Sequence, residues 1–130
     1  MGYKSPDGNH KVEFFYDGQI KFGPTYYKIK LDGKLISNRI FGKEYKWDSN
    51  SEYIAIQEWL TSDYQMGPIT TLTVIDPNNN LFSKIYMANK GFVSPLKFTG
   101  NRLQFKAEYF GEEIEESFIN IDTIQNWEKL

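Results

Sequence analysis

Arg102-Leu103-Gln104-Phe105-Lys106-Ala107-Glu108-Tyr109 alternates without a break. Leu103, Phe105, Ala107 and Tyr109 fall on one phase, and Arg102, Gln104, Lys106 and Glu108 on the other. Successive side chains of a strand point to opposite faces, so this stretch predicts a strand with one dry and one wet face, the pattern of antiparallel sheets. Gly100-Asn101 turns the chain into it, and Gly111 leads on to a further strand over 115–121. Working back toward the N-terminus, similar units recur between turn signals. Thr25–Leu31 ends at Asp32-Gly33, a two-residue hairpin signal, so 34–41 is expected to pair back onto it. Strands are also expected over 11–16, closed by Asp17-Gly18, over 52–60, and over Ile69–Asp76. The turn Pro77-Asn78-Asn79-Asn80 then returns the chain as a strand over 81–88.

Tyr53-Ile54-Ala55-Ile56 is apolar on both phases, which marks a strand buried on two faces. The tail Asp122-Thr123-Ile124-Gln125-Asn126-Trp127 reads as one short helix. Asp122 stands at its cap, Gln125 three residues on, and Ile121, Ile124 and Trp127 share a side, with Trp127 as a packing plug. The expected fold is all-β, mainly an antiparallel meander, sandwich or open barrel, ending in one short C-terminal helix or turn. By length, residues 1–130 form a single β-rich domain with enough chain to bury a core.

Composition bears on function more than on fold. The chain has 22 aromatic residues but one histidine and no cysteine. A lone His10 rules out a histidine pair or a Cys-His dyad, and there is no Gly-x-Ser-x-Gly elbow, zinc cluster or phosphate-binding glycine loop. No cofactor is therefore expected, nor an enzymatic role. Asp76-Pro77-Asn78-Asn79-Asn80 opens like a calcium loop, but Leu81 and Met87 stand where Gly and a bidentate Glu are required. A hairpin turn is the better account, since Asn and Asp bond their own backbone there. No apolar run of membrane-spanning length occurs, and the N-terminus lacks a signal-peptide core, so no membrane partner and a cytoplasmic location are expected.

Charge is distributed unevenly. Residues 1–46 carry nine Lys/Arg against five Asp/Glu, whereas 47–130 carry six against twelve. The alternating basic and aromatic stretch Lys21 to Lys30 resembles a single-strand stacking face, but the acidic balance argues against a nucleic-acid partner. Glu58 lies between Gln57 and Trp59 in an otherwise apolar strand. A solvent-facing carboxylate is the ordinary expectation there, and an inward one would be costly unless it served a function. It is the acid to inspect first for an acid-pair hydrolase, a third functional alternative.

Two segments match at an offset of 44 residues, giving a loose repeat over about 5–46 and 47–90: Gly23-Pro24 with Gly67-Pro68, Asp32 with Asp76, Phe15 with Trp59. Trp47-Asp48-Ser49-Asn50-Ser51-Glu52-Tyr53-Ile54-Ala55-Ile56 resembles the strand entry of propeller proteins, where Trp-Ser-Pro-Asp-Gly precedes an apolar strand. Ser49 and Ser51 replace the Pro and Gly, and two or three blades cannot close a ring.

In size, mild acidity, absence of cysteine and abundance of aromatics, the chain resembles small cytosolic immunity proteins that neutralise a toxin domain. That resemblance implies a non-catalytic inhibitor acting by occlusion, with a protein partner whose cleft is basic. Acids would then meet the basic cleft while aromatics anchor the contact. Candidate contacts are Glu112, Glu113, Glu115 and Glu116, together with Asp63, Tyr64 and Met66 in the loop after the strand at 52–60. A ligand- or lipid-binding β-barrel is the alternative, because many Phe and Tyr residues on antiparallel strands can enclose an apolar cavity.

Overall fold

The computed structural model describes residues 2–20, 23–63, 65, 67–109 and 114–130. Along them run β1 (Gly2–Lys4), β2 (Lys11–Gln19), β3 (Thr25–Leu31), β4 (Lys34–Leu35), β5 (Ile40–Trp47) and β6 (Ile54–Trp59). There follow β7 (Ile69–Asp76), β8 (Leu81–Asn89), β9 (Gly91–Thr99), β10 (Arg102–Tyr109), β11 (Ile114–Asn120), a 3-10 turn at Ile121–Thr123, and β12 (Glu128–Lys129). The fold is all-β, and its strand pairs are antiparallel. One sheet has the order β1-β2-β3-β5-β6-β7-β8-β12, with β4 added to β3, and a second has the order β11-β10-β9. Neither closes into a barrel. No helix among the described residues is long and apolar enough to cross a membrane.

β6 shows why the sheets stack as they do. All six of its residues are buried. Ile54 and Ile56 enter one core with Val12, Phe14, Ile29, Leu31, Phe41 and Ile75, so the long sheet curls around a shared interior. Ala55 points the other way, into a second core with Leu72, Val74, Val93, Leu103, Phe105 and Ala107. The dry phase of β10 thus covers the far face of β6 and β7. Burying each Leu or Phe contributes about 1.5–3 kcal/mol, which makes this shared layer the main stabilising feature.

Gln57 fastens the two layers together. Its amide Nε2 donates to the Val93 carbonyl at 3.1 Å and to Ser94 Oγ at 3.2 Å, while its Oε1 accepts the Trp59 indole N–H at 2.9 Å. Gly42 lies at a register shift in β5, where a Cβ would run into the Gln57 carbonyl oxygen. The absence of a side chain there is a packing requirement.

Several local expectations change. Asp17-Gly18 does not end a strand; β2 continues through it with a bulge between Tyr16 and Gly18. Asp32 and Gly33 do take the left-handed φ values, 54° and 81°, of a two-residue hairpin. The return from it is short, however. β4 ends at Leu35, Asn38 takes φ 62°, and β5 meets β3 only at Tyr27↔Phe41. β9 was not signalled by alternation, because Pro95 interrupts it. The Pro sits beside a register shift in the β9–β10 pairing, where its missing N–H is tolerated.

At the C-terminus only Ile121–Thr123 turn, and Ile124 is already extended. Asn120, not Asp122, holds the cap position, without a side-chain bond to the turn. The chain must extend so that β12 can pair with β8 through Glu128↔Phe82. Trp127 packs on the second core and stacks on Tyr53 with ring centres 5.9 Å apart.

Candidate functional site

Glu58 does not face solvent. It shares a face of β6 with Ile54 and Ile56, and its side chain is 3% exposed. Arg39, at the irregular step before β5, reaches across to it. Arg39 Nε donates to Glu58 Oε2 at 2.8 Å and Nη2 to Oε1 at 2.6 Å, a fork-to-fork pair. Thr73 on β7 donates its hydroxyl to the same Oε1 at 2.7 Å. The guanidinium lies over the Phe82 ring, 3.8 Å from its centre. Lys28 Nζ donates to the Arg39 carbonyl at 3.1 Å.

Lys28, Arg39, Glu58 and Phe82 line an open cleft of about 620 Å³, together with Lys84 and Thr61. Three cations, Lys28, Arg39 and Lys84, stand there against the one carboxylate of Glu58. Three of the carboxylate's roughly four lone-pair positions are taken by fixed donors, so Glu58 is arranged to hold charge in place. Among the described residues no second carboxylate lines this cleft, so the spacing of an acid pair is not met there.

The acids expected to contact a partner lie elsewhere. Glu115 and Glu116 are exposed on β11, and Asp63 is exposed in the loop between β6 and β7. Asp63 Oδ1 accepts the backbone N–H of Gln65 at 3.0 Å, and its own N–H donates to Thr61 Oγ1, also at 3.0 Å. Tyr64, Met66, Glu112 and Glu113 lie outside the described residues. Register brings Pro68, before β7, and Ile114, at the start of β11, to the same end of the molecule. Gly91 donates its N–H to the Pro68 carbonyl at 3.1 Å and pairs with Tyr109, while Glu108 pairs with Ile114 at the start of β11.

β11 forms one end of its sheet, with no described strand on its far side. Residues 114–118 are all exposed, including Ile114 at 57% and Phe118 at 52%. Phe118 pairs with Gln104 on the wet face of β10, and Arg102 lies over its ring at 4.2 Å. Lys106, opposite Glu116, is engaged elsewhere. Its hydrogen bond to Glu108, at 2.6 Å, raises the pKa of the ammonium above the usual lysine value. No described cation lies within ion-pair distance of Glu115 or Glu116.

Ile114 and Phe118 were not singled out from sequence. The signal was available in the spacing, since the wet phase of β10, paired in register, dictates which β11 residues share its face. Arg39 gave no such signal, because its partner is fixed by topology. The Asp76 turn is a local one: Asp76 accepts from Asn79 through both its backbone N–H at 3.2 Å and its side-chain amide at 2.8 Å. The turns at 5–8 and 48–51 touch, with the Asp7 N–H donating to Ser51 Oγ at 3.0 Å. No protein-family model, curated protein or solved structure matches the chain.

Proposed function

We propose that this chain is a non-catalytic, cytosolic protein-binding module of the immunity or inhibitor kind, which covers the active site of a toxin domain. The observation that carries the reading is β11: an open strand edge where Ile114 and Phe118 stand exposed beside Glu115 and Glu116. An unpaired edge offers a row of backbone donors and acceptors to another chain. Exposed apolar residues along it supply anchors, and the acids select what may dock. Two copies pairing through β11 would bring glutamates together, which disfavours self-association. A basic cleft, such as one that binds a nucleic-acid substrate, meets the same strip favourably and associates faster for it.

Phe15 and Tyr16 on β2 are also exposed, but Lys30 sits over the Phe15 ring at 5.3 Å, so that surface is not acidic. The decisive measurement is the effect of the purified protein on the activity of the neighbouring gene's product, tested as the toxin. Stoichiometric loss of toxin activity in a purified complex, weakened by Phe118→Ala, is the expected result. A toxin that stays fully active at saturating concentrations of the protein would refute the reading.

A further inference from the structure

We infer that the cleft floored by Arg39 and Glu58 is a binding site for a tetrahedral oxyanion of double charge, the phosphate monoester of a small molecule. The first ground is the way Arg39 is used. Its side-on edge, Nε with Nη2, is committed to Glu58, and among the described residues nothing accepts from Nη1 or from the second N–H of Nη2. A guanidinium has two forks, so three donors remain for an incoming oxyanion. The carboxylate occupies the adjacent edge and shares only Nη2 with that fork, so the two Nη1 donors are free of it.

The second ground is preorganisation. Arg39 is held by two short bonds and sits over the Phe82 ring, leaving its side chain 15% exposed. Its rotamer freedom has been given up on folding, so little more is lost on binding. An ion pair in so dry a place is a weak device for stability alone, since desolvation offsets much of its attraction.

The third ground is charge balance. Lys28 and Lys84 add two cations that no described carboxylate pairs with, leaving a surplus of two positive charges on the lining. A dianion neutralises that surplus, and a planar monoanion does not. Three cations from separate segments, Lys28 on β3, Arg39 before β5 and Lys84 on β8, also suit the several oxygens of a phosphate better than the two of a carboxylate. The cleft is large enough for more than the phosphate itself, and the hydroxyl of Thr61, in its lining, can meet a polar remainder.

The test is calorimetric titration of the purified protein with inorganic phosphate at low ionic strength, with acetate as the planar comparator. Saturable phosphate binding is expected, with acetate much weaker. Lys84→Gln and Lys28→Gln should each weaken phosphate about tenfold, the equivalent of roughly 1.4 kcal/mol. Lys97→Gln, an exposed change outside the cleft, should leave binding as it was. Thermal melts of the lysine variants confirm that they fold. Absence of saturable binding, acetate binding as tightly as phosphate, or native affinity in both cleft variants would each overturn the assignment.

Discussion

Arg39, just before β5, and Glu58 on β6, 19 residues apart, are joined by two parallel hydrogen bonds with their side chains 15% and 3% exposed. Removing one member of such a pair strands the other's charge, at about 3–5 kcal/mol. Arg39→Met and Glu58→Leu should therefore each lower the urea midpoint sharply, given total stabilities of about 5–15 kcal/mol for domains. The double variant Arg39→Met/Glu58→Leu should recover most of that loss, because no charge is left unpaired. A double variant as unstable as the sum of its parents would show that the pair does not interact in this way.

Gly42 faces the carbonyl end of Gln57, with Gln57 Cδ 3.0 Å and Trp59 Nε1 3.2 Å from where a Cβ would sit. Gly42→Ala should push Gln57 off the Trp59 indole and off Val93, at about 1–3 kcal/mol for overpacking. Tryptophan fluorescence and the melting temperature should both shift. An alanine variant with native values of both would remove the close approach from the account.

Charge on β11 is expected to act on encounter more than on folding. Glu115→Lys/Glu116→Lys should change stability by no more than about 0.5 kcal/mol, as exposed substitutions do. In complex with a basic partner the same variant should associate more slowly, with the difference shrinking as salt is added. Phe118→Ala should act on the dissociation rate instead. Stopped-flow mixing separates the two, and an association rate that ignores the glutamates would take β11's acids out of the contact.

The phenol of Tyr109 is pushed up to about 12 from its ordinary 10.0, first by its hydrogen bond with Tyr86 and then by burial. Burial raises Tyr45 and Tyr53 in the same direction. Between the ordinary and raised values the folded chain keeps a proton that the unfolded chain has released. Stability from this source is complete below about 10 and drains away as pH climbs to about 12. Urea midpoints across that window should fall, and Tyr109→Phe should flatten part of the slope. Midpoints independent of pH there would contradict the Tyr86–Tyr109 contact.

Strands with one wet face were legible wherever alternation ran unbroken, as in Arg102–Tyr109, and where two positive-φ residues stood together, as at Asp32-Gly33. Tyr53-Ile54-Ala55-Ile56 announced a central strand because residues buried on both faces lose their polar phase. β9 was hidden by Pro95, and Asp17-Gly18 carried a turn's composition within a bulge. Glu58 was identifiable as an oddity in an apolar strand, but its neutralising partner was not. Arg39 comes from the other side of a broken hairpin, and no local period encodes that meeting.

The double-sided burial of β6 and β7 bears on how this chain can be cut. Ending the polypeptide at Asn89 would leave Ala55, Leu72 and Val74 facing solvent without Val93, Leu103 and Phe105 above them. A fragment of that kind should clump instead of folding, and the intact chain should melt in one transition. Moving the exposed side chains of β11 to another protein would mean grafting them onto a new scaffold, because the strand cannot be excised together with the sheet that carries it.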